Sequence, residues 1–489
     1  MISNKNLIRF IEPHYKKNLI KNWYEIKNVN ARKFLTHTRF DLSFKLLYLK
    51  MINKNVLFSE KIYKEHIRAF SLGKYNEPKN KDKDSIEKFL ISFQNVFQDI
   101  KNNGFNRNKT LIPLSKNGSI ANGAHRIASA IFLNKKISCV KIDSHDQIYD
   151  YKFFYNRNVP INIMDAAAIE FIENANNIYL AFIWPVAKGQ NEKIEKIIPN
   201  IVYKKKINLT YNGAHNLISQ IYYNEDWIGN HENNYKGSNS KVIKCFDNFD
   251  NLRIIAFQAD SLDKVFLIKE KIRKVYNLGK HSIHITDTKI ETEKLARTVF
   301  NENSIHFLNF AKPNEFRSTH FQIQKFNKYI KKNLIDKKDV VLDSSIILSV
   351  YGLREAKDID FFSFKNNNLL KKIDAINIHD EALKFHKEDK NELIYNPKNY
   401  FYFNELKFIS FNQIYKMKKN RGEKKDLEDC KMMKNLIENN FHKIIIGRIK
   451  QNYNYKKIKF KKIIINILKI LRLYVIIRSL YGFIKKNNN

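Results

Sequence analysis

The chain has 489 residues, 43% of them hydrophobic and 13% aromatic, which excludes an intrinsically disordered protein and calls for several cores, one domain usually holding roughly 100–200 residues. The formal charge is +39, yet Lys, Asn, Ile and Tyr abound while Gly (13) and Pro (8) are scarce, the bias of an AT-rich coding sequence, so bulk basicity alone does not argue for nucleic acid. Three scattered cysteines, Cys139, Cys245 and Cys430, exclude a CxxC zinc site or a disulfide framework and fit a reducing compartment.

In chain order, residues 1–60 read as an N-terminal helical segment, with FDLSFKLLYLKMI (40–52) at helical spacing. The apolar start is broken by Arg9, Glu12 and Pro13, unlike a signal-peptide core, and a cytoplasmic protein is expected. Residues 61–150 run through a polar loop carrying Glu77, a helix (86–104), a strand (110–115), the turn NGAHR, a helix (127–134) and a strand (137–142). A helical linker (151–177) leads to a second α/β unit (178–312) and a third (318–440). The expected class is α/β (α+β), multidomain.

Charge becomes uneven in the last segment, 441–489, which has no Asp or Glu but 13 Lys and Arg. Within it IIINILKILRLYVIIRSLYGFI (463–484) is interrupted by Lys469, Arg472 and Arg478, and Lys462, Asn466, Lys469 and Arg472 share one helical face. The pattern predicts an in-plane amphipathic helix rather than a span, able to hold an enzyme at an anionic surface on the inner face of the inner membrane. The alternative is a helix packed on another domain.

Three motifs carry chemistry. In the first, Gly123, His125 and Arg126 sit where a strand gives way to a helix, so backbone N–H groups, the helix dipole and an arginine fork can cradle phosphate. By itself a His-Arg pair at a helix start is ordinarily a solvated turn. The helix, strand, turn, helix and strand around it resemble the ParB/sulfiredoxin superfamily over about 80 residues. Ala124 replaces the reactive Cys of sulfiredoxins, and a single Arg126 stands where partitioning clamps have two. The resemblance then implies a nucleotide-using phosphotransferase or a binding module, for which Glu77 is a candidate base that nothing in the sequence brings to the turn.

In the second, IRKVYNLGKHSIHITDT (272–288) places Arg273 and Lys280 upstream of His284. A strand-end histidine beside a helix cap is the plainer reading. The order resembles the catalytic segment of nucleoside diphosphate kinases, and YLAFIWPV (179–186) is similar to their opening strand. That resemblance implies a ferredoxin-like fold, His284 as the phosphorylated nucleophile, and Arg273 and Lys280 as phosphate ligands. The family's Lys and Asp around the first-strand proline are Trp184 and Val186 here, and the orienting Glu beyond Glu293 is Leu295; Lys188 or Lys280 could substitute.

The third, VVLDSSIILSVYGLREAKDIDFF (340–362), sets Asp358 and Asp360 on alternate strand positions, so both carboxylates face one side and can share a divalent metal. With KDLED (425–429) on a later helix, it resembles the polymerase-beta-type nucleotidyltransferases over about 100 residues. The resemblance implies Mg²⁺ on Asp358 and Asp360, ATP or another NTP as donor, triphosphate contacts from Ser344 and Ser345, and roles for Arg354 and Lys425. Glu405 and Asp380 are candidates for the third carboxylate.

Together these predict a nucleotide-dependent phosphoryl or nucleotidyl transferase acting on a small polar acceptor, in envelope or capsular polysaccharide modification. The alternatives are a nucleic-acid-associated protein of partition, tRNA-modifying or toxin–antitoxin type, which is not favoured, and an inactive nucleotide-binding scaffold.

Overall fold

A computed structural model describes residues 1–77, 81–247, 249–365 and 375–470. Among these residues it is a mixed α/β protein with four separate sheets.

The first module begins with a two-residue ribbon, β1 (Ile2–Ser3) against β2 (Trp23–Tyr24), flanking α1 (Asn4–Leu7). Strand β3 (Ile26–Asn30) follows, then α2 (Asp41–Met51), α3 (Val56–Ser71), α4 (Ile86–Asn103), β4 (Ile112–Leu114), α5 (Ala124–Phe132) and β5 (Lys136–Lys141). The sheet order is β3-β5-β4, so the N-terminal 60 residues contribute an edge strand as well as helices. Asn55 caps α3 and Ser85 caps α4 through their side-chain oxygens, while Gly104 closes α4 at φ +71°. Helix α2 is buried on almost every face, packing on both α3 and α5.

Helices α6 (Tyr151–Tyr155) and α7 (Ile161–Asn174) lead to the second module. It comprises β6 (Ile178–Ile183), α8 (Asn191–Ile197), β7 (Ile201–Ile207), α9 (Tyr211–Ile221), α10 (Ser238–Cys245), β8 (Leu252–Gln258), α11 (Leu262–Tyr276) and β9 (Ile283–Ile285). All neighbours are antiparallel in the order β7-β8-β6-β9, so each β-α-β crossover skips one strand. Helices α12 (Lys289–Val299) and α13 (Glu302–Phe310) close it.

The third module contains α14 (Arg317–Lys332), β10 (Val340–Asp343), α15 (Ser345–Val350), β11 (Ile359–Ser363), β12 (Ile376–Ile378), α16 (Lys390–Tyr395), β13 (Tyr400–Phe403), β14 (Leu406–Ile409), α17 (Phe411–Arg421) and α18 (Lys424–Ile437). Its sheet order is β12-β11-β10-β14-β13, with β10 antiparallel to β11 and Asp343 directly opposite Asp360. Helix α19 (Phe441–Ile470) lies against α18 at its start, Gly447 approaching Met432 and Arg448 donating to the carbonyls of Gly352 and Leu353. Farther along it exposes Ile449, Tyr453, Phe460 and Ile463. Among the described residues no helix is long and apolar enough to cross a membrane. Residues 471–484 of the expected amphipathic helix lie outside the described residues.

One carboxylate joins the modules. Glu173, on α7, accepts from Lys50 of α2 (2.8 Å), Arg297 of α12 (2.6 Å) and Lys338 just before β10 (2.8 Å).

Candidate functional site

The first constellation opens onto a cleft of about 830 Å³. Gly123 holds φ +95°, and a Cβ there would come within 2.7 Å of the Ile112 side chain and 2.9 Å of the Arg126 guanidinium. Only glycine fits this turn without movement, and it caps α5 with no side-chain bond to the first N–H groups. His125 bonds the Tyr63 hydroxyl at 2.8 Å and stacks on Phe93; burial, then Lys45, hold its pKa well below the usual histidine range, so the ring is neutral. Arg126 folds back to donate to the Thr110 hydroxyl and to the Leu111 carbonyl (3.3 Å). Glu77 lines the same cleft as the turn, ion-paired with Lys83 at 2.9 Å.

The floor of this cleft was not expected. Arg39 forks onto both oxygens of Asp41 (2.8 and 2.9 Å), and Lys45 donates to Asp41 Oδ2 at 3.0 Å while lying 3.0 Å from His66 Nε2. All four are nearly fully buried and line the cleft. Burial would raise the Asp41 carboxyl, but Arg39 and Lys45 hold it well below the carboxylate range. Burial brings Lys45 down to about 8 despite Asp41, and burial with Lys45 beside it keeps His66 neutral. The available signal was an Asp and a Lys four apart in a largely apolar helix.

The second constellation also lines a cleft, of about 640 Å³. His284 sits on β9 with Nε2 3.0 Å from Glu291 Oε1, and the other Glu291 oxygen accepts the Asp287 N–H at 2.9 Å. The carboxylate that contacts His284 is thus Glu291, while Leu295 lies in the core. Burial opposes ionisation of Glu291, but the bond to His284 keeps its pKa low. Six bases line the cleft: Lys241, Lys244, Lys269, Arg273, Lys280 and Lys294. Arg273 pairs with Glu270 at 2.6 Å and Lys188 with Asp247 at 3.0 Å, the latter outside the cleft lining. The segment 227–246 supplies one wall, through Trp227, Lys241 and Lys244. Trp184 is buried between Phe182 and Phe246.

In the third, Ser344 occupies φ +63°, ψ −127°, a conformation that favours glycine and is costly for serine. Ser345 Oγ donates to half-buried Asp358 at 3.1 Å, and Asp360 is 9% exposed. Burial raises the Asp360 pKa, and the nearby charges of Asp358 and Asp343 add to the rise against His379, so three carboxylates crowd one end of β10 and β11. Asp343 is fully buried and accepts from His379 Nδ1 at 2.6 Å; although burial opposes it, that bond raises the His379 pKa. Arg354 grips Asp429 through two bonds (2.7 and 2.8 Å), Lys418 spans Asp426 and Asp429, and Arg421 holds Asp426. The KDLED aspartates are thus committed to a buried ionic network. Lys425 points elsewhere and pairs with Glu423 at 3.1 Å. Glu405 pairs with Lys337 and lines the His284 cleft, Asp380 pairs with Lys390, and the residue opposite Asp360 on β12 is Asn377. Among the described residues no three His, Cys, Asp or Glu side chains are arranged to hold a metal ion. A pair of crowded carboxylates nevertheless matches Mg²⁺, which typically takes one or two carboxylates and completes its shell with phosphate and water.

Comparisons with family models, with curated proteins and with solved structures found no match.

Proposed function

We propose that this chain is a nucleotide-dependent transferase that passes a phosphoryl group from a nucleoside triphosphate, ATP or another, to a small polar acceptor. The observation that carries the reading is the cleft at the start of α5, which has no side-chain cap, where Gly123, Arg126 and Lys83 line the same cavity as the carboxylate of Glu77. Phosphate oxygens seat on the first N–H groups of α5. Glu77 takes the proton of the acceptor hydroxyl; the hydroxyl oxygen bonds to the terminal phosphorus as the bond to the nucleoside diphosphate breaks, and the proton leaves to water. The order of elements around β4, α5 and β5 supports the ParB/sulfiredoxin-like reading of 61–150, and the strand order β7-β8-β6-β9 supports the ferredoxin-like reading of 178–312.

Two observations favour additional chemistry in the same chain. The His284–Glu291 bond beside six bases supports a phosphohistidine step, because a carboxylate on Nε2 leaves Nδ1 as the nucleophilic nitrogen. The strand pair β10–β11 with Asp358 and Asp360 supports nucleotidyl transfer, with those residues as the holders of Mg²⁺, whose chemistry is to neutralise triphosphate charge. Ser345 orients Asp358.

The exposed apolar side chains of α19, set among lysines, support a cytoplasmic protein bound peripherally to the anionic inner face of the inner membrane, a location suited to envelope or capsule modification. The test is incubation with each NTP, Mg²⁺ and a polar metabolite pool, following nucleoside diphosphate and pyrophosphate release separately. Diphosphate release lost in Glu77→Gln supports the α5 reading. Diphosphate release unchanged in that variant sinks it.

A further inference from the structure

The floor of the α5 cleft carries a net positive charge built from α2 and the residues just before it. Arg39 and Lys45 bring two charges to a single carboxylate, Asp41, both of whose oxygens are already taken by the Arg39 fork. His66, neutral, accepts from Lys45 on Nε2 and therefore carries its proton on Nδ1, which is buried without a partner. Lys45 and His66 are 3% and 1% exposed, and both line the cleft. A buried cluster with one uncompensated positive charge and one unused donor is costly unless an anion completes it. The α5 N-terminus forms a separate anion cradle, built from Gly123 and the turn after β4 rather than from α2 and α3. A cleft of about 830 Å³ has room for two ligands side by side.

We propose that the Lys45–His66 floor is a second anion subsite that holds the negatively charged group of the acceptor, while the α5 N-terminus holds the phosphates of the donor. The acceptor class is then a small hydroxylated molecule bearing a carboxylate or a phosphate, not a neutral polyol. This assignment rests on the phosphotransfer reading of the cleft. It adds to that reading a division of labour: Asp41 and Arg39 position Lys45, Lys45 and His66 grip the acceptor's anion, and Glu77 addresses its hydroxyl.

The test uses the full chain and calorimetric titration of orthophosphate in the presence of a saturating non-hydrolysable ATP analogue. Wild type should bind orthophosphate under these conditions, and Lys45→Gln should weaken that binding at least tenfold while changing analogue affinity less than threefold. Gly123→Val should do the reverse, weakening the analogue at least tenfold and leaving orthophosphate bound. Should Lys45→Gln fail to fold, His66→Phe keeps the ring among Phe44, Phe70 and Phe154 and should weaken orthophosphate at least threefold. Glycerate, glycerol 3-phosphate and glycerol then compete for the site. Displacement by glycerate or by glycerol 3-phosphate supports the subsite and tells which anion it takes. Displacement by glycerol equally well overturns it, as does orthophosphate binding indifferent to both floor variants. Orthophosphate excluded by the bound analogue in wild type also overturns it, yet leaves a single-anion donor site, and with it the phosphotransfer reading, standing.

Discussion

The α5 cleft and the β10–β11 strand pair both present groups suited to phosphate, but with opposite charge logic. The cleft meets phosphate with Lys45, Lys83 and Arg126 and with helix N–H groups, and its carboxylates Asp41 and Glu77 are paired to cations. The strand pair offers crowded carboxylates, Asp358 and Asp360 next to Asp343, with Arg354 drawn off to Asp429. An anion can dock directly in the first, whereas the second repels it until a cation intervenes. Substituting the strand-pair carboxylates should therefore separate the two activities.

The largest effect is expected from Asp360→Asn, which should cut pyrophosphate release by about 10³-fold or more and leave diphosphate release within about twofold, since it removes a metal carboxylate from one region only. Loss of both signals together would mean that the regions act as one site. Next, Gly123→Val should lower diphosphate release by about 10²-fold, because both the positive φ and the close approach of Ile112 forbid a branched side chain, while pyrophosphate release persists. Asp429→Asn is expected to cost about 3–5 kcal/mol of stability, read by denaturant unfolding, because it leaves half-buried Arg354 and buried Lys418 short of a counter-charge. The smallest effect is Ser344→Gly, which should stabilise the chain by about 1–2 kcal/mol by relieving the positive φ, with pyrophosphate release retained.

Motifs contiguous in the chain were legible before the fold was known. The turn at Gly123, the strand carrying Asp360 and the base-rich approach to His284 all appear in the expected elements, because helix and strand periodicity place their side chains, whereas Asp358 falls one residue before the strand (Ile359–Ser363) rather than on it. Groups that complete them from afar were not. Glu291 reaches His284 only because the Asp287–Thr288 turn is tight enough to cap α12 and swing its first carboxylate back. His379 meets Asp343 across a sheet, 36 positions along the chain. Asp41 and Lys45 read as part of an apolar helix, and their purpose emerges only when Arg39, His66 and the α5 turn surround them. Lys425 illustrates the converse: it has the right spacing on α18, but the helix turns its neighbours Asp426 and Asp429 inward and leaves the lysine outside.

The carboxylate of Glu173 has a practical meaning for dissecting this molecule. Because it answers a cation from each of three modules, excising any one of them exposes the others' charges and deprives the excised piece of its own counter-ion. Acid acts the same way: the folded state holds the Glu173 carboxyl well below its ordinary range, so the stabilisation it gives is present near neutrality and is surrendered as pH falls through that depressed value. The chain is therefore best taken apart one side chain at a time, with its three catalytic candidates kept on a single polypeptide.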